Sequence, residues 1–118
     1  MDPTEIINRY QAGERDFHGL DLSGADLSGV NLSGANLSLA KLGQANLSGA
    51  NLSGANLNGA VLQRANLGQA NLAGADLSLA DLGFANLMEA DLTGANMNMA
   101  ILFRVKLKGA IMPDGSKK

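Results

Sequence analysis

A single histidine, His18, lies between two aspartates, Asp16 and Asp21, near the start of the chain. An imidazole beside a carboxylate is the base half of a hydrolytic triad, and the same residue types ligate metals. Both chemistries need further partners: a nucleophile and oxyanion donors in one case, a third and fourth ligand in the other. The chain has no cysteine and no second histidine. Its serines recur at five-residue intervals with no base beside them. His18 takes a place that serine fills in the following units (Ser23, Ser28, Ser33), so it reads as an outward polar residue. The glycines recur at the same interval and open no helix, unlike a phosphate-cradling loop. The expectation is a non-enzymatic chain with no catalytic residue, no metal and no cofactor.

What remains is a question of architecture. With 118 residues the chain suffices for one small domain. Nine basic against eleven acidic side chains give a net charge of −2, too near neutral for direct nucleic-acid binding. The opening MDPTEIINRY is unlike a secretory signal, and no apolar run approaches the roughly 20 residues of a membrane span, so the expected compartment is the cytoplasm. Aromatic residues are 3% of the chain while hydrophobic ones are 46%, so the apolar content is almost all Leu and Ala. That points to repetition.

Every fifth residue from Phe17 to Met112 is apolar, and fifteen in a row, Leu22 through Leu92, are leucine. Two residues before each lies a second inward column, Ala at 16 of 20 places. The unit is Ala-Asn/Asp-Leu-Ser-Gly, as in Ala50 to Gly54. On an α-helix a period of five drifts around the barrel, and on a flat strand it alternates faces. Only a chain that bends once per unit keeps every Leu on one axis. Gly ends the unit in 10 of 20 repeats, where a type II turn takes positive φ. Leu39, Gln44, Arg64, Phe84 and Arg104 occupy that place elsewhere, and at those corners a different turn type is expected.

The tandem A(D/N)LXX pattern over residues 15–112 resembles the pentapeptide repeat proteins. The AGERDF start and GAIMPDG ending are similar to cyanobacterial, stand-alone members. The resemblance implies an all-β solenoid: a right-handed quadrilateral β-helix with four repeats per coil, here about five coils and roughly 24 Å of rod at the usual inter-strand spacing. Stacking would then join residues twenty apart. No two outward Asp residues are so spaced, and Asp21 lies under Lys41, which avoids stacked like charges.

Residues 1–14 read as an N-terminal cap, with a helix over 3–12 that Asp2 and a Glu5 capping box begin and Gly13 ends. Ile6, Ile7 and Tyr10 share its inner face, and Phe17 fills the first coil. Residues 113–118 form a polar tail. Late in the chain the outward positions turn apolar, and Leu79, Phe84, Met99, Ile101 and Phe103 form the candidate interface, either for an unknown protein partner or for a homodimer through the C-terminal coils. Charge is uneven: residues 1–26 carry six acids and two bases, and residues 100–118 five bases and one acid. This is either ordinary solubility or the mark of an anionic partner or of head-to-tail association. The resemblance also implies an alternative function, a DNA mimic that binds DNA gyrase or topoisomerase. Residues 27–99 argue against it, with four acids and two bases.

Overall fold

The computed structural model describes residues 1–118. After a single helix, α1 (Pro3–Gln11), the chain winds as a rod with extents of 36 × 22 × 21 Å. Sixteen parallel bridges run from Asp16–Asn36 to Asp91–Ile111, and every one joins residues twenty apart. Five residues per side and twenty per coil make four sides. Each side has one bridged residue, too few for a conventional strand. Asp21 does bridge to Lys41, so opposite charges stack there.

The unit Ala50–Gly54 shows why this sequence closes on itself. Asn51 N–H donates to the Val30 carbonyl of the preceding coil (2.8 Å), and Leu52 N–H to the Asn71 carbonyl of the next (2.7 Å). Ser53 N–H donates to Oδ1 of Asn51 (3.0 Å). Gly54 N–H reaches the Ala73 carbonyl (2.9 Å), and Ala55 N–H closes the turn on the Leu52 carbonyl (3.1 Å). All five donors are satisfied, which a backbone with no helix or continuous strand otherwise fails to do. The middle residue is accordingly Asn or Asp in fifteen of the twenty units, where its short side chain accepts the one donor the ladders leave free; Lys41, Val61, Ile101, Lys106 and Ile111 take the place in the others.

Asn51→Ala removes that acceptor and is expected to cost about 1 kcal/mol in urea denaturation, with Asn51→Asp close to neutral. Where the middle residue is Ile111, the second following residue is Pro113, which has no N–H to satisfy.

The carboxylates in this role are held below their ordinary range. For Asp21, Asp26 and Asp91 the largest cause is the hydroxyl of Ser23, Ser28 or Thr93, followed by the backbone N–H of the same residue. A depressed folded pKa contributes stability above the unfolded value and loses it as pH falls through the folded one. Thermal melts are therefore expected to drop below about pH 4, and replacing all three by Asn should flatten that drop.

The corners depart from expectation. Leu39, Gln44, Arg64, Phe84 and Arg104 have φ of +57 to +60°, and Gln69, Leu79, Glu89 and Met99 lie within a few degrees of them. The turn is the same one glycine makes, not a different type. In every coil but the last the reason is the ladder: the corner N–H bonds the next coil whatever its side chain, as in Gln44 to Gln63 O (2.8 Å) and Phe84 to Phe103 O (2.8 Å), while Met99 and Arg104 in the last coil keep the same φ without that bond. Another turn would break both the bond and the quarter bend. The left-handed conformation costs roughly 1 kcal/mol or more in a non-glycine residue. Gln44→Gly is accordingly expected to raise stability by about 1 kcal/mol in urea denaturation.

The interior is dry and aliphatic. Taken every fifth residue, the leucines from Leu22 to Leu92 are buried without exception, the alanines from Ala35 to Ala95 join them, and no polar side chain is buried. At the first end Phe17 and Ile6 complete this core, with Ile7 and Tyr10 packed against it. Tyr10 Oη donates to the Ser33 carbonyl (2.7 Å), and the Arg15 guanidinium lies over its ring at 3.7 Å. Helix α1 ends at Gln11, with Gly13 at φ +101° behind it. Asp2 caps it by accepting from Thr4 N–H (2.9 Å), but Glu5 makes no return bond, so the capping box is not formed. The start of the chain is drawn instead to the first coil, where the Met1 amino group donates to the Asp21 carbonyl (3.1 Å).

Candidate functional site

His18 and Asp16 do meet, with Nδ1 at 2.9 Å from Oδ1, and both side chains face solvent. The carboxylate is held below its usual range, chiefly by the imidazole hydrogen bond. Its other partners are the His18 N–H and the Asn36 amide, neither a nucleophile. No three His, Cys, Asp or Glu side chains group so that they could hold a metal. The dyad is an outward corner pair in the same role as Asp21 with Ser23.

The apolar residues near the C-terminal end are a different matter. Exposure is 55% for Leu79, 44% for Phe84, 81% for Met99, 51% for Ile101 and 61% for Phe103. The twenty-residue register brings Phe84 and Phe103 together edge to face, their centroids 5.5 Å apart. With Ile101 they line a shallow hollow of about 220 Å³ whose rim holds Gln63, Arg64 and Asp81. Leu79 and Met99 are not in this hollow. They stand one coil apart in the corner column just before it, where Leu79 N–H bonds the Asn98 carbonyl (3.0 Å).

The sequence reading missed the cations. The Arg64 guanidinium lies over the Phe84 ring at 4.5 Å, and Arg104 over Phe103 at 5.5 Å. Gln63 Nε2 donates to Asp81 Oδ2 (2.6 Å), which ties the hollow's polar wall. The register contains the signal: Arg64 precedes Phe84 by twenty. Three of the five apolar residues, Leu79, Phe84 and Met99, hold positive φ, so their side chains leave the rod at its corners and cannot fold back into the core.

A four-sided coil of five-residue units with a filled interior and chemistry confined to its outer surface defines a solenoid repeat protein. The pentapeptide repeats family matches this sequence in eight copies across residues 16–49, 40–78 and 70–112, and the chain belongs to it. A pentapeptide repeat protein from the Arabidopsis thaliana thylakoid lumen is 40% identical over 85% of this chain and 70% of its own, with a TM-score of 0.79. One from the cyanobacterium Nostoc PCC 7120 is 38% identical over 92% and 78%, with a TM-score of 0.45. Rfr23 from the cyanobacterium Cyanothece 51142 is 30% identical over 87% and 93%, with a TM-score of 0.47. Among curated protein sequences none matches. The coil is thus a right-handed quadrilateral β-helix with a helical N-terminal cap. No helix in it is long and apolar enough to cross a membrane.

Proposed function

We propose that the chain is a non-enzymatic protein-interaction module, a stiff rod that docks through the aromatic patch of its last two coils, and that a second copy of the chain occupies that patch. The observation that carries this is the Phe84–Phe103 pair with Ile101. Large apolar side chains cluster here on a rod whose other outward positions are mostly polar or glycine, and two arginines stacked on the rings supply a polar rim. Contiguous aromatics with arginine neighbours are the composition of protein contact surfaces. A filled rod offers no deep cleft in which a reaction could exclude water.

The DNA-mimic reading is not favoured. Duplex DNA carries a charge per about 1.7 Å, so a rod of this length would want on the order of 20 acids in excess. The whole chain has eleven acids against nine bases. Sedimentation velocity over a range of concentrations tests the dimer. Reversible association is expected, and it should be lost in the double variant Phe84→Ser, Phe103→Ser, whose substituted side chains lie at the surface. A dimer that survives both changes, or a chain that stays monomeric at every concentration, refutes the proposal.

A further inference from the structure

The side of the rod that carries the aromatic pair is ordered along its whole length. It comprises residues 20–24, 40–44, 60–64, 80–84 and 100–104, one set per coil, and its bridged column runs Asp21, Lys41, Val61, Asp81, Ile101. Lys41 is exposed and forms no salt bridge within the chain. Val61, in the middle coil, is an apolar side chain left 39% exposed. The position after the inward leucine is glycine in the second and fourth coils, Gly43 and Gly83. With no side chain at Gly43, a shallow hollow of about 270 Å³ opens there among Ser23, Gln44, Gln63 and Arg64. The first two coils thus present a hollow on the same side on which the last two present the edge-to-face pair Phe84 and Phe103.

Turned end over end, this side complements itself. With a two-fold axis crossing the rod at Val61, the first coil of one copy faces the fifth of the other, and the second faces the fourth. Lys41 then meets Asp81 of the second copy, twice by symmetry, and Val61 meets Val61. The Phe84–Phe103 pair meets the hollow at Gly43, and Arg104 meets Gly24, which has no side chain to obstruct it. Each Arg64 leans onto its own Phe84 ring (4.5 Å), away from the axis and so away from its mate. The ends match as well. Residues 1–26 carry six acids and two bases, a net of −4, and face residues 100–118, with five bases and one acid, a net of +4. Other arrangements oppose like charges or strand single ones. Parallel rods set Lys41 on Lys41 and Asp81 on Asp81. An axis at Asp81 sets Asp81 on Asp81 and Arg64 on Arg104, and an axis half a coil from Val61 sets Val61 on a charge. Five coils of about 4.8 Å on a rod 22 Å wide offer on the order of 500 Å² per copy, which suits a reversible pair. We infer that two copies associate antiparallel and face to face along this whole side, the first two coils of one receiving the aromatic pair of the other. This arrangement presupposes the dimer proposed above and adds its register and the half that receives the rings.

Lys41→Glu and Asp81→Lys are each expected to weaken association at least about tenfold in sedimentation velocity, because each sets two like-charged pairs face to face. Mixed one to one, the two variants should associate like the parent chain, since both pairs are then of opposite charge. Asp81→Lys also removes the acceptor of the Gly83 N–H, but the unit of Lys41 folds without one, and circular dichroism checks the fold. Cross-linking reads the register independently. Packed sheets lie about 10 Å apart, a gap that a short bismaleimide spans, and the chain has no cysteine of its own. Two copies of Val61→Cys should therefore be joined, and two copies of Ala73→Cys, on the opposite side of the rod, should not. A mixture that fails to associate, or a dimer joined through Ala73→Cys and not through Val61→Cys, overturns the inference. A dimer that Phe84→Ser with Phe103→Ser abolishes but both charge reversals leave intact keeps the aromatic contact and overturns this register alone. A chain that stays monomeric at every concentration removes both.

Discussion

Leu62→Ala should lower the unfolding free energy by about 3–4 kcal/mol, near the upper part of the range for buried leucine truncations. Leu62 is fully buried in the middle coil, and the register sets it between Leu42 and Leu82. The cost of such a truncation depends on how far the surroundings relax into the space left behind. Here they relax little. The backbone on either side is tied to its neighbours by bonds such as Leu62 N–H to Asp81 O (2.7 Å), and the inward residues before and after are the small Ala60 and Ala65. Leu102→Ala is the internal control. It makes the same change in the same column, but at the open end where the side chain is already 39% exposed, so about 1 kcal/mol or less is expected. Urea denaturation of the pair decides the matter; equal losses would mean that the Leu column is not a continuous packed seam.

Phe17→Ala should cost about 3–5 kcal/mol locally, the usual range for a buried phenylalanine. Phe17 stands where the other coils have Leu or Met, is 1% exposed, and packs in the core cluster that includes Ile6 of α1. Its removal leaves the cap with no floor. In a solenoid each coil is stabilised mainly by its neighbours, so the damage should spread from the end inwards and fade. Hydrogen exchange should show lost protection over α1 and residues 15–34, with the coils around Leu62 and Leu67 nearly unaffected. Uniform loss along the rod would show that the coils unfold as one cooperative block.

The two predictions differ because one removes a seam and the other a lid, and the amino-acid sequence announces both. A five-residue period in Leu has one geometrical solution, a bend per unit, and the Ala column two residues earlier marks the second inward position. The Asn or Asp between them was legible as an outward residue. That its side chain bonds the corner is visible only in the fold, where Ser53 N–H is left over after both ladders are made. The corners at Gln44 and Phe84 were misread for the same reason. Local preference disfavours positive φ in such residues, but the bond each makes to the next coil overrides it.

The candidate site divides along the same line. Leu79, Phe84, Met99, Ile101 and Phe103 stand out in the sequence as apolar residues in polar columns. That Phe84 touches Phe103 while Leu79 and Met99 stand apart, and that Arg64 and Arg104 lie on the rings, depends on residues far apart in the chain being set side by side. The tail is a further case. Its composition says only that it is polar, whereas its antiparallel return along residues 109–112 is visible in the fold alone.

Sequence alone thus determined the repeat, the direction each residue faces and the dry Leu–Ala interior, because these follow from a local period that the chain states twenty times over. The twenty-residue coil, the strained corners and the arginine-flanked aromatic pair were decided by tertiary structure, because each depends on which coil lies above or below, and that is a matter of long-range hydrogen bonding.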